Sequence, residues 1–348
     1  MTNVKPLFYS DYLEGAHPYL LQVIQEANFE QNPGYGEDDY CKEAARRIRE
    51  VFGVPDADVH FLEGGTQTNA TVISSVLRPY QGVLCPDTAH IAAHETGAIE
   101  HTGHKVLTLP GKDGKITAAQ VRDAIQGHFG DANHEHIVQP GMVYISFPTE
   151  LGTIYSRKEL AAISETCREC GLPLFIDGAR LGYGLMCSKC DIEPEDLGKF
   201  ADIFYVGGTK QGALFGEALV ICNDAYKKDF RYNIKQNGGM MAKGWLLGLQ
   251  FAALFTDNLY FSLSQHALAQ AEKIREALKA KGLKLFGSSP TNQVFVVLSL
   301  EQQERLAQFV GYEYWQKVDD GHGVVRLCTS WATTDEAVEI LKNAIKTL

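Results

Sequence analysis

Short runs of consecutive apolar residues alternate along this chain with stretches in which apolar positions recur every three or four residues. The short runs are "VHFL" (59–62), "GVLC" (82–85), "KVLTL" (105–109), "MVYISF" (142–147), "LPLFI" (172–176), "DIFYV" (202–206) and "EALVIC" (217–222). Apolar runs of this length, bounded by polar or glycine positions, predict strands buried on both faces. The spaced patterns between most of them predict helices. One helix start is explicit: Ser156 is followed three residues later by Glu159, just before "LAAISETCREC". In that arrangement each side chain satisfies the other residue's backbone N–H. Strands alternating with helices predict an α/β fold with a mostly parallel central sheet and helices on both faces. Ligands bind such sheets at the carboxyl ends of the strands, so the loops that follow the strands are where chemistry is to be sought.

Beyond about Asp224 the pattern lengthens. "GWLLGLQFAALF" and "AEKIREALKAKG" predict long helices that connect to Lys281. After them, "QVFVVL" (293–298), "GVVRLC" (323–328) and a helix from Thr334 predict a small α+β domain. The expected division is an N-terminal segment and large domain over residues 1–250, and a small C-terminal domain over 251–348. No repeat or low-complexity linker separates them, so firm packing between the two is expected.

Composition narrows the partners. With 348 residues, 45% of them hydrophobic and 22% charged, the chain has ordinary globular usage. Acidic residues outnumber basic ones 43 to 32, a formal charge of -11, which argues against nucleic acid as a partner. The start, "MTNVKPLFYSDYLEG", has no basic patch followed by an apolar core, and no apolar run is long enough to span a bilayer. A cytoplasmic protein without a membrane partner is expected. Cys167/Cys170 and Cys187/Cys190 form two C-x-x-C pairs with zinc-ribbon spacing. The segment between them contains the predicted strand "LPLFI", and a six-residue strand spans about 20 Å. Thiolates on one zinc must each lie about 2.3 Å from it. Reduced thiols are therefore the expected reading, with zinc, reached by a chain return over Leu181–Met186, as the lesser alternative.

Four strand-end loops hold unusual residues. After "VHFL", "EGGTQTNATVISSVL" offers Gly64, Gly65 and a helix beginning at Thr66. Free N–H groups and the helix dipole there suit a phosphate, although a plain glycine turn reads the same. After "GVLC", "PDTAHIAAHETGAIEHTGH" carries His90, His94, His101 and His104. Its H-x-x-x-H-E order differs from the zincin pattern, and one aromatic ring from His90 at the strand end is the simpler functional reading. "LPLFIDGAR" sets Asp177 at a strand end with Arg180 three residues on. That pair is either a ligand-binding acid kept ionised beside an arginine or a local salt bridge. Finally, "YVGGTKQG" sets Thr209 and Lys210 among Gly207, Gly208 and Gly212. A lysine among small residues can meet a flat carbonyl ligand, and desolvation or nearby charge can lower its pKa enough for it to act as an amine nucleophile. A lone surface lysine is the bland alternative. Phosphate cradle, ring neighbour, acid and lysine together match what a pyridoxal phosphate enzyme requires.

The ordered set "GYGEDD", "EGGTQTNA", "DTAHIAAHETGA", "FIDGARLGYGL" and "YVGGTKQGALFGEALV" resembles the low-specificity L-threonine aldolase and phenylserine aldolase group of the β-eliminating lyase family. The likeness runs from about Ser10 to Arg326. It implies an aspartate aminotransferase-like (type I) fold and pyridoxal 5′-phosphate as cofactor. By that resemblance Lys210 would bond the cofactor covalently, and Asp177 would pair with its ring nitrogen. His90 would stack on the ring, Gly65 and Thr66 would hold the phosphate, and Thr209 would sit beside them. Ser10, Arg180 and Arg326 would hold the substrate carboxylate.

The chain departs from the family at "NGGMMAK", where Met241 replaces an arginine, and at "FPTE", where E-N-T-H is usual. The second family histidine has only a loose counterpart near His136. The expected function is cleavage of the Cα–Cβ bond of a β-hydroxy-α-amino acid to glycine and an aldehyde, by a homo-oligomer, dimer or tetramer. A β-eliminating lyase on the same cofactor is the nearest alternative. A non-catalytic scaffold or a zinc-binding protein is the alternative from another class.

Overall fold

The computed structural model describes residues 5–348. The seven apolar runs form β1 (Asp58–Leu62), β2 (Gln81–Pro86), β3 (Lys105–Leu109), β4 (Gln139–Ser146), β5 (Leu174–Asp177), β6 (Ile203–Gly207) and β7 (Glu217–Ile221). They make one sheet in the order β1-β7-β6-β5-β4-β2-β3. β2 to β6 are paired in parallel, and β7 runs antiparallel to both its neighbours. The start of β7 therefore lies beside the carboxyl ends of β1 and β6, with Glu217 opposite both Leu62 and Gly207.

Side chains alternate strictly across this sheet. Val143, Ile145, Ile176, Phe204 and Val220 enter the core on one face; Met142, Tyr144, Phe175, Tyr205 and Leu219 enter the core on the other. Because Ile176 faces the first core, Asp177 faces the second, toward Tyr144 and Tyr205. The helix Gly65–Val76 packs over that second face through Val72 and Ile73. The predicted capping box is present, with Ser156 and Glu159 opening the helix Arg157–Glu169. Cys167 is buried in the first core, and Cys187 lies in a separate cluster with Tyr183, Ala267 and Leu268.

The second sheet is antiparallel and ordered β8-β10-β9, from β8 (Gln293–Ser299), β9 (Glu313–Lys317) and β10 (His322–Cys328). The apolar pattern does not predict β9, an edge strand with no buried residue. The N-terminal segment is stitched onto this sheet: Phe8 N–H donates to Gly311 O, and Cys328 N–H donates to Phe8 O, at 2.8 and 2.9 Å. The helix Leu259–Ala280 joins the cores, with Tyr260 and Leu263 packing on the large sheet and Ile274 and Leu278 on the small one. Among the described residues no helix is long and apolar enough to cross a membrane.

The glycines of "DGAR" and "VGGTK" are required by a backbone crossing. Gly207 N–H donates to Gly178 O at 3.0 Å. A Cβ on Gly178 would lie 1.8 Å from Tyr205 O, and one on Gly207 would lie 2.4 Å from Ala179 O. No side chain fits between the two strand ends, so the segments bearing Asp177 and Lys210 are locked together. Replacing Gly178 with alanine should cost about 3 kcal/mol, since backbone cannot move aside as a side-chain tip can. Gly127→Ala, on an open helix surface with nothing within 4 Å of the new Cβ, should be neutral or stabilising by up to ~1 kcal/mol. Urea denaturation of the two variants checks the contrast.

Candidate active site

A cavity of about 340 Å³ opens at the carboxyl ends of the strands. Gly65, Thr66, His90, Asp177, Arg180, Thr209 and Lys210, all singled out in the sequence, line it together. Ser10 and Arg326 are buried nearby but do not form its wall. Tyr12, Glu150 and Glu217 line it without having been foreseen.

Asp177 is 4% exposed and accepts four hydrogen bonds. The hydroxyls of Tyr144 and Tyr205 donate at 2.5 and 2.6 Å, Ala179 N–H at 3.0 Å, and Asn69 Nδ2 at 3.2 Å. Burial alone would raise its pKa. The His90 ring, the two tyrosine hydroxyls and the Ala179 N–H outweigh burial and hold the carboxyl below its usual range. Arg180 donates no hydrogen bond to Asp177, so the local salt bridge, the alternative reading of "DGAR", does not form. The Arg180 guanidinium instead grips Asp11, with Nε donating to Oδ2 at 2.6 Å and Nη2 to Oδ1 at 2.9 Å.

Lys210 follows the β6 end in a turn held by Tyr183, whose hydroxyl donates to Lys210 O at 2.5 Å. Its Nζ lies 5.9 Å from the centre of the Tyr12 ring. Desolvation and then the Arg180 charge lower the pKa of the amine, while Asp11, Glu217 and Asp177 oppose them. Glu217 accepts from Gly208 N–H at 3.2 Å, and burial pushes its pKa up to about 8. The Thr209 hydroxyl accepts from Gly216 N–H at 3.0 Å, fixing the turn.

His90 opens a short helical turn after β2. Its Nδ1 meets Glu95 Oε1 at 2.7 Å, and its backbone N–H donates to Glu150 Oε1 at 2.9 Å. Asn69 Nδ2 also donates to Glu95 at 2.8 Å, so one amide ties the Glu95–His90 pair to Asp177. Glu150, the last residue of "FPTE", also accepts from Ser146 Oγ at 2.6 Å, and burial raises its pKa. His136, by contrast, lies in an exposed turn before β4 and does not reach the cavity. His94 packs against His90 with ring centres 5.7 Å apart. Among the described residues no three His, Cys, Asp or Glu side chains cluster as metal ligands.

A sequence profile described as beta-eliminating lyase matches residues 8–301. The chain belongs to the beta-eliminating lyase family. Relatives in this family include the low specificity L-threonine aldolases of a Pseudomonas species and of Pseudomonas aeruginosa, each 32% identical over 99% of both chains. The solved structure of Leishmania major threonine aldolase matches with a TM-score of 0.95 and 44% identity, covering 98% of this chain and 99% of that one. Aspartate aminotransferase from Thermus thermophilus, at 15% identity and a TM-score of 0.70, shares the fold.

The cofactor of beta-eliminating lyases is pyridoxal 5′-phosphate, and the cavity fits it. The ionised Asp177 suits a protonated ring nitrogen, and Lys210 supplies an amine of lowered pKa. The helix starting at Gly65 has no side-chain cap, which leaves its first N–H groups free for a phosphate. Tyr144, Tyr205, Asn69, Glu95 and Glu217 were not legible as site residues. The only signal for the tyrosines is their parity with Asp177 on adjacent strands.

The buried Asp11–Arg180 pair makes stability pH-dependent. Burial alone would raise the Asp11 pKa, but the charges of Arg180 and Lys210, with hydrogen bonds from Arg180 and Asn292, hold it at about 2. A depressed carboxyl stabilises the fold above its unfolded pKa, and the contribution is lost as the pH falls through the folded one. A shift of this size corresponds to about 2 kcal/mol. Urea unfolding should therefore show the stability gap between wild type and Asp11→Asn narrowing by about that amount from pH 5 toward pH 2.

Proposed function

We propose that this protein is a pyridoxal phosphate-dependent aldolase that cleaves the Cα–Cβ bond of β-hydroxy-α-amino acids of the threonine, allo-threonine or phenylserine type. The reaction yields glycine and an aldehyde. The observation that carries the reading is the convergence of Lys210, Asp177, His90 and Arg180 on one cavity, in a chain similar from end to end to low specificity L-threonine aldolases. When bound, the cofactor supplies an electron sink for the pair released at Cα.

Lys210 would hold the cofactor through Nζ, and Asp177 would keep the proton on its ring nitrogen. The N–H groups of Gly65 and Thr66 would bind its phosphate, Thr209 shapes the turn that bears Lys210, and His90 would supply the aromatic neighbour of its ring. Arg180, in the cavity wall, holds the substrate carboxylate, and Ser10 and Arg326, buried nearby, are the further carboxylate residues that the family resemblance implies. A carboxylate held there would fix the orientation of the substrate and so which bond at Cα is presented for cleavage. Cleavage removes the β-hydroxyl proton and returns a proton to Cα. His90 is the acceptor, with Glu95 fixing its ring and Glu150 as a second carboxyl beside it. A homo-oligomer, dimer or tetramer, in the cytoplasm completes the proposal. The acidic balance and the absence of a membrane-crossing helix among the described residues are compatible with that location.

The family description keeps β-elimination as the second reading. Incubating the holoenzyme with threonine, allo-threonine and phenylserine should produce aldehyde and glycine in equal amounts without pyruvate. Pyruvate and ammonia without aldehyde would move the assignment to β-elimination, and neither product would leave only a scaffold. Asp177→Asn should bind cofactor yet lose at least 100-fold in kcat, read in the same aldehyde assay. Near-normal turnover would remove the electron-sink role.

A further inference from the structure

Residues 9 to 11 lie between the two arginines to which substrate carboxylate binding is assigned, and they touch both. Asp11 is 0% exposed and takes the Nε–Nη2 edge of Arg180. Its Oδ2 also accepts from Asn292 Nδ2 at 2.9 Å, and Asn292 in turn donates to Thr329 O at 2.8 Å. Two residues earlier, Tyr9 O accepts from Arg326 Nη2 at 3.0 Å. Arg326 is further fixed by Gln293 Oε1 at 2.9 Å, by an ion pair with Glu313, and by Trp315, whose ring centre lies 5.2 Å from its guanidinium carbon. Phe8 joins β10 through Cys328 N–H. A segment of four residues thus bridges the small sheet, Arg326 and Arg180.

The pairing leaves a defined vacancy in hydrogen bonding. Asp11 uses one edge of the Arg180 guanidinium, and no described residue accepts from Nη1, while Arg180 itself forms part of the cavity wall. A guanidinium held bidentately on one edge has its plane and its remaining donors fixed, so a second carboxylate meets a pre-oriented partner. The negative charge of Asp11 also offsets one of the two neighbouring cations, Arg180 and Lys210, where they would otherwise repel.

Resting on the aldolase reading above, we infer that Asp11 is a positioning residue that aims Arg180 at the substrate carboxylate. Through it, seating of the N-terminal segment on the small sheet is coupled to substrate binding. Asp11 touches neither substrate nor cofactor; it acts through Arg180.

The test uses purified holoenzyme and glycine, the product amino acid, titrated by the absorbance change of the bound cofactor. Asp11→Asn should weaken glycine binding and raise the KM for threonine by at least tenfold, with kcat and cofactor affinity within about threefold of wild type. In an Arg180→Ala background the same change should add less than twofold, which a merely structural role would not produce. Glycine affinity within twofold of wild type in a folded Asp11→Asn protein overturns the inference. So do independent, multiplying effects of the two substitutions. Should Asp11→Asn fail to fold, Asn292→Leu keeps the carboxylate but removes one of its donors, and should weaken glycine about threefold; unchanged affinity overturns the inference. A wild-type enzyme that binds glycine but releases no aldehyde from threonine would sink the aldolase reading and leave the glycine comparison valid.

Discussion

A carboxylate buried at the end of a central strand survives only if donors surround it, and in this chain they do. Asp177 is met by two tyrosine hydroxyls, a backbone N–H and an amide. Burying such a group unpaired would cost several kcal/mol or force it neutral. Each donor comes from a different element: β4, β6, the loop after β5, and the helix over the sheet. The sheet register and that helix must be right before the anion is tolerable. The same register puts Glu217 beside the turn that bears Lys210.

The remaining charges of the cavity follow the same rule. Arg180 and Lys210 repel, and the carboxylates of Asp11 and Asp177 offset them. Asn69 joins the Asp177 group to the Glu95–His90 pair, so ring, acid and amine belong to one hydrogen-bonded and electrostatic unit. Preorganised charges act more strongly where burial takes them out of water, as it does for Asp11 and Asp177. The glycine crossing at Gly178 and Gly207 keeps the two principal loops in contact and leaves room above them.

Much of the fold was legible because seven apolar runs coincide with seven strands of the sheet. β9 was not, because an exposed edge strand needs no apolar run. Asp177, Lys210 and His90 were legible since each follows a strand in a loop of small or turn-forming residues. Asp11 was not, because its partners Arg180 and Asn292 are 169 and 281 residues away in the chain. Proximity in sequence misled in the other direction: Arg180 stands three residues from Asp177 yet turns to Asp11. Tyr144 and Tyr205 read as core residues, which they also are; only pairing of their strands with β5 reveals the second role. His136, the loose counterpart of the second family histidine, stands away from the cavity, and the carboxyls that meet His90 are those of Glu95 and Glu150.

The central claim is that this network presents one amine, that of Lys210, to the cofactor. Reducing the pyridoxal phosphate-loaded protein with borohydride and mapping the labelled peptide by mass spectrometry tests it most directly. The account predicts a single modified residue, Lys210, in the peptide that contains "YVGGTK". A label fixed on any other lysine, or a protein that takes up the cofactor but retains none after reduction, would contradict it.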